Sequence, residues 1–346
     1  YAGVTLTSKC FYNCKNLKNV WIDCAVIPRE AFRECTSLSE LTLTNHVTTI
    51  ESEAFRACYG LTELVIPESI TTLRGFESCI GLISVTLPEN IKEIGSNCFQ
   101  GCSGLEKINL PEGLTTIGNS AFKGAGLTQI DIPESVTTIN DHAFSGCKSL
   151  TEVVIPTSIT SLSSFVFYNC TGLKSVDLNN VVSIEAYVFY GCVKLSSIEF
   201  PEGLTKIGSA AFQDCTSLIH VTIPQSVTYM GGFPGCVNLE TVVLNNSGVV
   251  KGYAFSGCKK LKSVIVGENI TGINVLAFTG CTALTEIIFE GNAPAIDSSA
   301  FEDVTATAHY PMNASWTEDK LQNYGGNITW VGYSVCTANA YAAYPK

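Results

Sequence analysis

Positive charge is scarce in this sequence of 346 residues, in which 20 lysines and arginines are outnumbered by 31 aspartates and glutamates. The formal net charge is −11, and the basic residues form no run. Since binding to a phosphate backbone needs concentrated positive charge, we expect no nucleic-acid partner and no binding to an anionic membrane surface. No apolar run approaches the roughly 20 residues of a membrane-spanning helix, so we expect no membrane insertion of this chain.

Motifs of catalysis and metal binding are missing as well. The sequence contains no G-x-G-x-x-G, Walker A, H-E-x-x-H or G-x-S-x-G pattern and no Cys-x-x-Cys. Its four histidines are His46, His142, His220 and His309. The repeat register places none of them beside a nucleophile. We therefore expect a protein that is not an enzyme and that uses no cofactor and no metal ion.

The most informative feature that is present is a repeat. Fourteen phenylalanines recur at intervals of 21 to 23 residues, and in twelve cases a cysteine follows three positions later. The phenylalanines are Phe11, Phe32, Phe55, Phe76, Phe99, Phe122, Phe144, Phe167, Phe189, Phe212, Phe233, Phe255, Phe278 and Phe301. A fixed period of about 22 residues is the signature of a solenoid, in which each repeat forms one coil and stacks on its neighbours.

One unit, residues 136–156, shows what each position does. Counted from the phenylalanine, apolar residues fall at −8, −5, −1, 0, +3, +6, +9 and +11. The alternation that ends at +9 and +11 predicts a short half-buried strand, usually ended by a proline, which cannot donate a ladder hydrogen bond. The same alternation predicts a strand at residues 105–110. The Ala-Phe-x-x-Cys segment predicts a tight turn or a 3₁₀ piece, and no window has a long helical period.

The units resemble the BspA-like class of the leucine-rich repeat superfamily, in which a unit reads I-P-x-x-V-T-x-I-x-x-x-A-F-x-x-C-x-x-L-x-x-V. The resemblance covers about residues 4–300 and about 13 near-complete units. It implies a right-handed leucine-rich-repeat solenoid with a parallel β-sheet on the concave face. Short strands, turns and 3₁₀ pieces are implied elsewhere, with few or no α-helices.

We divide the chain into a solenoid at residues 1–300, a closing segment at 301–333 and a tail at 334–346. The closing segment resembles that of many bacterial members of the same class. The chain opens partway through a coil, with Leu6 at the −5 position of the Phe11 unit. We therefore expect that upstream sequence with a signal segment has been removed, which places the protein outside the cell or on its surface.

Twelve of the sixteen cysteines occupy the +3 position, where stacked coils align them in a column. A free cysteine packs as a small hydrophobe, and Ala125 and Val304 fill the same position, so we interpret it as a position that demands small size. Disulfides between neighbouring coils remain an alternative, because equivalent Cα atoms lie about 5 Å apart in such a stack. We expect Cys336, outside the repeat pattern, to be the most reactive thiol. The expected core ladder includes Phe144, Cys147, Phe167, Cys170, Phe189, Cys192, Phe212 and Cys215.

Function in a repeat array has to be sought where the repeat varies. The outward positions of the predicted strands are +8 and +10, and four neighbouring coils carry an acidic residue there: Asp131, Glu152, Asp177 and Glu199. They predict either a binding surface for a cationic or Ca²⁺-bridged partner or an ordinary solvated face of an acidic protein. A retaining-type catalytic pair is disfavoured, because a flat open sheet has no desolvated pocket that would raise the pKa of a general acid.

An apolar run follows at the other end of the +10 column. Val243, Ile265 and Ile288 succeed one another there, and we expect them to be exposed. Exposed apolar patches often mark interaction sites, so the run predicts a protein-binding patch. The alternative is that the closing segment, residues 301–333, folds over this end and covers them.

The turn side carries two further departures from the repeat. Tyr168 and Tyr190 both lie at +1 in neighbouring coils, which predicts either an interface or ordinary turn packing. The units of Phe76 and Phe233 are short before the phenylalanine and have glycine where alanine is usual. We expect both units to bend or notch the solenoid, either to position a partner or simply to absorb a deletion.

These observations predict a non-enzymatic extracellular or cell-surface protein that binds a protein ligand through an extended preformed surface. The resemblance implies a bacterial surface protein with a role in adhesion to host matrix proteins or neighbouring cells. One alternative is a carbohydrate-binding surface protein, which needs aromatic platforms beside polar groups on the concave face. Only Trp21 and scattered tyrosines offer such platforms there. A second alternative is a structural spacer for another domain.

Overall fold

Each repeat folds into one coil with a longer strand, a connecting segment, a two-residue strand in most coils and a tight turn. In the computed structural model, which describes residues 5–313 and 315–334, about 14 such coils stack on one another. Helical structure in this part of the chain is limited to one 3₁₀ turn at Glu318–Lys320. The predicted leucine-rich-repeat solenoid is therefore confirmed. Cys336 and residues 335–346 of the predicted tail lie outside the described residues.

The longer strands build one face of the solenoid, with core residues alternating with solvent-facing ones. They pair in parallel as β1–β3, β5–β7, β11–β13 and β16–β18–β20–β22–β24–β25. Their bounds are β1 (Asn19–Ile22), β3 (Glu40–Leu43), β5 (Glu63–Val65), β7 (Ser84–Thr86), β11 (Glu152–Val154), β13 (Ser175–Asp177), β16 (His220–Ile223), β18 (Thr241–Leu244), β20 (Ser263–Val266), β22 (Glu286–Phe289), β24 (Thr305–Pro311) and β25 (Asn327–Tyr333). We call the solvent side of these strands the strand face.

The shorter strands form a second parallel ladder just before the turns, built from the β-rich Val-Thr-x-Ile segments. They pair as β2–β4, β6–β8–β9–β10 and β12–β14–β15–β17–β19–β21–β23. Their bounds are β2 (Val26–Ile27), β4 (Thr49–Ile50), β6 (Thr72–Leu73), β8 (Glu93–Ile94), β9 (Thr116–Ile117), β10 (Thr138–Ile139), β12 (Ser161–Leu162), β14 (Ser183–Ile184), β15 (Lys206–Ile207), β17 (Tyr229–Met230), β19 (Gly248–Val250), β21 (Ile270–Ile273) and β23 (Ala295–Ile296).

The ladder of longer strands is interrupted, and the strand predicted at residues 105–110 does not form. Ile108 and Leu110 are nevertheless buried, so the side-chain alternation is intact. In the next coil Leu127 follows Ala125 after one residue instead of two, and this shorter turn changes how the two coils meet. At the strand face the amide of Thr128 still donates to the carbonyl of Glu106 at 3.0 Å, and the turns of the two coils stay bonded, for example from Phe99 to Ala121 at 2.7 Å.

The phenylalanines form one continuous column of rings through the core. From Phe11 to Phe301 each ring stacks on the next, with centroids 4.9 to 6.3 Å apart and planes inclined by 1 to 21°. Offset stacking of this kind adds to the stabilisation from burial alone. The rings therefore hold neighbouring coils together where no strand ladder does.

The buried +3 cysteines form hydrogen bonds through their thiols, in addition to filling a position that demands small size. The thiol of Cys170 donates to the carbonyl oxygen of Phe144 in the preceding coil at 3.1 Å. Ten further pairs repeat this bond at 3.1 to 3.3 Å. All fifteen cysteines among the described residues are free, and burial raises the pKa of Cys147 and Cys192 to about 12. The interpretation of the +3 position by size alone missed these eleven hydrogen bonds.

The closing segment adds two strands to the sheet and an aromatic cap to the core. β24 pairs with β22, and β25 pairs with β24, both in parallel. Trp316 packs at 4.9 Å from Phe289 and 5.6 Å from Trp330, and its indole N–H donates to the carbonyl of Gly291 at 3.0 Å. The last apolar layer is thereby covered. Among the described residues, no helix has the length and apolar character needed to cross a membrane.

Candidate functional site

The acidic residues predicted at +8 and +10 lie on the strand face. In β11 Val153 points into the core, while Glu152 and Val154 point to solvent, because successive side chains of a strand alternate. The parallel register places Val154 opposite Asp177 of β13. Val154 is 58% exposed on the solvent side of this two-stranded sheet.

A shallow depression of about 370 Å³ lies where the strand ladder is interrupted before β11. It is lined by residues 129–132, 152–154 and 175–177, so it brings together Asp131, Glu152 and Asp177. Glu199 is exposed in the following coil. We call these four carboxylates, together with Val154, the acidic patch.

None of the four carboxylates takes part in an ion pair with another described residue. Their negative charge is therefore directed at solvent and at whatever approaches the strand face. Such a field steers positively charged partners and favours basic groups around a small apolar contact.

The apolar run is less exposed than the sequence predicts. Val243 and Ile265 are half-buried, and Ile288 is buried, with 8% of its surface exposed. The expectation that Ile288 is exposed was wrong, because the in-register ladder places it between Ile265 of β20 and His309 of β24. Residues 301–333 supply that neighbour by extending the sheet at its edge.

Tyr168 and Tyr190 belong to a cluster of five rings on the turn side. Their centroids are 4.8 Å apart. A second stack runs from His142 through Phe165 to Tyr187, with centroids at 4.5 and 4.9 Å. Burial lowers the pKa of His142, which favours the neutral ring for stacking. The sequence signal for this second stack is an aromatic residue at −2 in three successive repeats.

A charged network on the turn side of the first coils was not found from the sequence. Glu53 accepts hydrogen bonds from Arg29 at 2.8 Å and Arg56 at 2.9 Å, and Arg33 bridges Glu30 and Glu53 at 3.1 Å each. Burial opposes ionisation of Glu53, but the bonds from Arg56 and Arg29 prevail and hold its pKa below the usual value. The network satisfies its own charges and is therefore structural.

The stacked parallel coils, the phenylalanine column and the open strand face define a leucine-rich-repeat scaffold of the kind that binds proteins. The model of the BspA type leucine-rich repeat region, with six copies, matches residues 4–75, 74–192, 137–258 and 182–308. The chain therefore belongs to the BspA-type leucine-rich repeat family.

Solved structures show the same fold. A leucine-rich repeat protein from Bacteroides ovatus is 28% identical with a TM-score of 0.59, over 82% of this chain and 88% of that one. One from Eubacterium ventriosum is 25% identical with a TM-score of 0.57, over 87% and 92%. The pneumococcal vaccine antigen PcpA is 17% identical with a TM-score of 0.55, over 93% and 91%, and is similar in fold alone. A comparison with curated proteins finds no match.

Proposed function

We propose that this protein is a non-enzymatic extracellular or cell-surface binding protein that recognises a protein partner through its strand face. The observation that carries the proposal is the acidic patch, in which unpaired carboxylates surround the exposed Val154. A rigid repeat array presents this surface preformed, so binding costs little ordering entropy. The family supports a bacterial surface role, and adhesion to host matrix proteins or neighbouring cells is the use we infer.

The chemistry of the patch defines the partner. Carboxylates that lack ion-pair partners within the described residues favour lysine or arginine side chains, and Val154 favours a small apolar contact between them. The same +10 column continues to the half-buried Val243 and Ile265. Six coil spacings of about 4.8 Å separate Asp131 from Ile265, which gives a footprint of about 29 Å. A basic segment or basic protein face with apolar residues matches this surface.

The test is a binding screen of the protein against immobilised host matrix proteins at low and high salt. A variant in which the three carboxylates of the depression are neutralised should lose about tenfold in affinity for a captured partner, and salt should weaken binding by the parent more than by the variant. The neutralised positions are Asp131→Asn, Glu152→Gln and Asp177→Asn. A control variant with the same change of net charge carries Glu89→Gln, Glu112→Gln and Glu202→Gln, all exposed and each directly after the proline of its repeat.

The control variant should bind like the parent. Equal losses in both variants would mean that net charge alone matters and that the strand face is not the site. Saturable binding that survives neutralisation of the patch but is lost in Val243→Glu would place the site further along the same column. Failure to bind any protein would favour the spacer role.

A further inference from the structure

A notch opens on the turn side of the solenoid at the Phe233 coil. In the Phe144 coil four residues separate the apolar −5 position from the phenylalanine, but only two separate Met230 from Phe233. Gly231 and Gly232 bond as the −4 and −1 residues of other coils do, so the Phe233 coil has no counterpart of the residues at −3 and −2. In the flanking coils the −2 residues are Ala210 and Tyr253. A gap remains between these two residues.

The backbone conformation at the notch requires glycine at two positions, Gly231 and Gly232. A Cβ on Gly231 would collide with the carbonyl oxygen of Gly208, and one on Gly232 would collide with that of Ala254. Gly232 also has a φ of 118°, which side chains rarely allow. The coils approach closely beneath the notch and leave an open cavity of about 350 Å³ above it, near the lower limit for ligand pockets.

The walls of the notch combine aromatic rings with one unpaired cation. Tyr253 is 52% exposed, and Tyr229 forms the opposite part of the lining. The Lys251 ammonium lies 5.0 Å from the centroid of the Tyr229 ring and forms no ion pair with any described residue. The Ser209 hydroxyl is 3.4 Å from the Tyr229 hydroxyl. The contact of Lys251 with the Tyr229 ring keeps the ammonium in the lining of the cavity, where it is available to an external anion.

The missing residue also leaves a backbone donor without an acceptor. The −2 amides of Tyr187 and Tyr253 donate to carbonyls of the following coil, those of Ser209 and Val275, at 3.1 and 3.2 Å. Ala210 occupies the same −2 position, but the Phe233 coil that follows it lacks the residue whose carbonyl would accept this hydrogen bond. No acceptor for its amide is found in the described part of the chain. Because Ala210 lines the notch, its wall offers an N–H to a ligand.

We propose that the notch binds one acidic sugar residue of a glycan, a pyranose that carries a carboxylate. The apolar C–H face of the ring packs on Tyr253, Lys251 pairs with the carboxylate, and the Ser209 hydroxyl and the Ala210 amide bond to sugar hydroxyls. The neighbouring turn-side rings of Tyr187 and Tyr190 continue the aromatic surface for adjoining sugar units. This site differs in place and in ligand class from the acidic patch.

The test is saturation-transfer NMR and isothermal titration of the whole chain with D-glucuronate and N-acetylneuraminate as probes and D-glucose as the neutral counterpart. We expect at least one acid to bind about tenfold or more tightly than glucose, because the ammonium contacts a charged acceptor. Lys251→Gln should remove that preference, and Lys251→Arg should keep it. Tyr253→Ala should weaken every sugar about fivefold or more through the lost stacking surface.

The matched controls are Lys259→Gln and Tyr59→Ala, exposed residues that do not line the notch. Both should bind like the parent, and unchanged thermal melts should show that all variants are folded. The proposal is overturned if neither acid binds at millimolar concentration, or if glucose binds as tightly as the acids. Binding that survives in both Lys251→Gln and Tyr253→Ala overturns it equally.

Discussion

The phenylalanine column makes stability depend on contacts between coils, and a double-mutant cycle on Phe144 and Phe167 measures that dependence. Both rings are fully buried, with centroids 5.6 Å apart and planes inclined by 6°. Phe167 also stacks on Phe189, and Phe144 on Phe122. Replacement by leucine keeps a large apolar side chain in the core and removes the stacked ring.

The expected loss in the free energy of unfolding follows from the number of stacked ring pairs that each variant loses. A stacked aromatic pair contributes about 0.5 to 1.5 kcal/mol beyond the area it buries, so each single Phe→Leu change loses two stacks and about 1 to 3 kcal/mol. A smaller cavity cost adds to this. The double variant loses three stacks instead of four, because the two rings share one. Its destabilisation should therefore fall short of the sum of the singles by about 0.5 to 1.5 kcal/mol.

Urea unfolding followed by circular dichroism gives the free energies of the parent, the two single variants and the double variant. The m values should stay equal, because a repeat array that unfolds in parts invalidates the comparison. A control cycle on Phe55 and Phe167, which lie five coils apart, should be additive within about 0.5 kcal/mol. If the stacked pair is equally additive, the rings contribute only burial and the reasoning is refuted.

Three further predictions concern charge, backbone and thiols. Burial raises the pKa of Glu77 from 4.5 to about 7, so the folded state retains a proton that the unfolded chain releases. Stability should fall as the pH rises through that window, and Glu77→Gln should flatten the slope of Tm against pH. In thermal melts Gly231→Ala should cost at least about 1 kcal/mol, whereas Gly203→Ala, with nothing within 4 Å of the added Cβ, should be nearly neutral. Iodoacetamide should label the exposed Cys10 in the native protein but reach Cys170 only after unfolding, as peptide mass mapping would show.

The repeat period and the apolar positions predicted the fold correctly. The same pattern recurs along the chain, so a departure in one unit does not obscure it. Single coils were harder to predict. The alternation at residues 105–110 correctly indicated that Ile108 and Leu110 are buried, but strand pairing depends on the neighbouring coil, which is shortened between Ala125 and Leu127. Side-chain alternation indicates burial, whereas ladder hydrogen bonds depend on how two coils meet.

The candidate surfaces, too, were predictable from the sequence in their exposed positions but not in the contacts between coils. The positions of Asp131 and Val154 on the strand face follow from strand alternation, yet the depression between their coils depends on the interrupted ladder. The partial burial of Val243 and the burial of Ile288 come from lateral neighbours that a single unit does not show. The notch was predicted from the short Phe233 unit, but its lining comes from three consecutive coils.

The bond from a +3 thiol to the preceding phenylalanine carbonyl recurs in eleven coils, and the ring contact beside it recurs along the whole column. A coil gained by duplication or lost by recombination would meet neighbours that already fit it, so the array can change length by whole units without a redesigned interior. Its outward residues differ from coil to coil and are free of that constraint. Selection can therefore alter the reach of the protein and the chemistry it displays independently of each other.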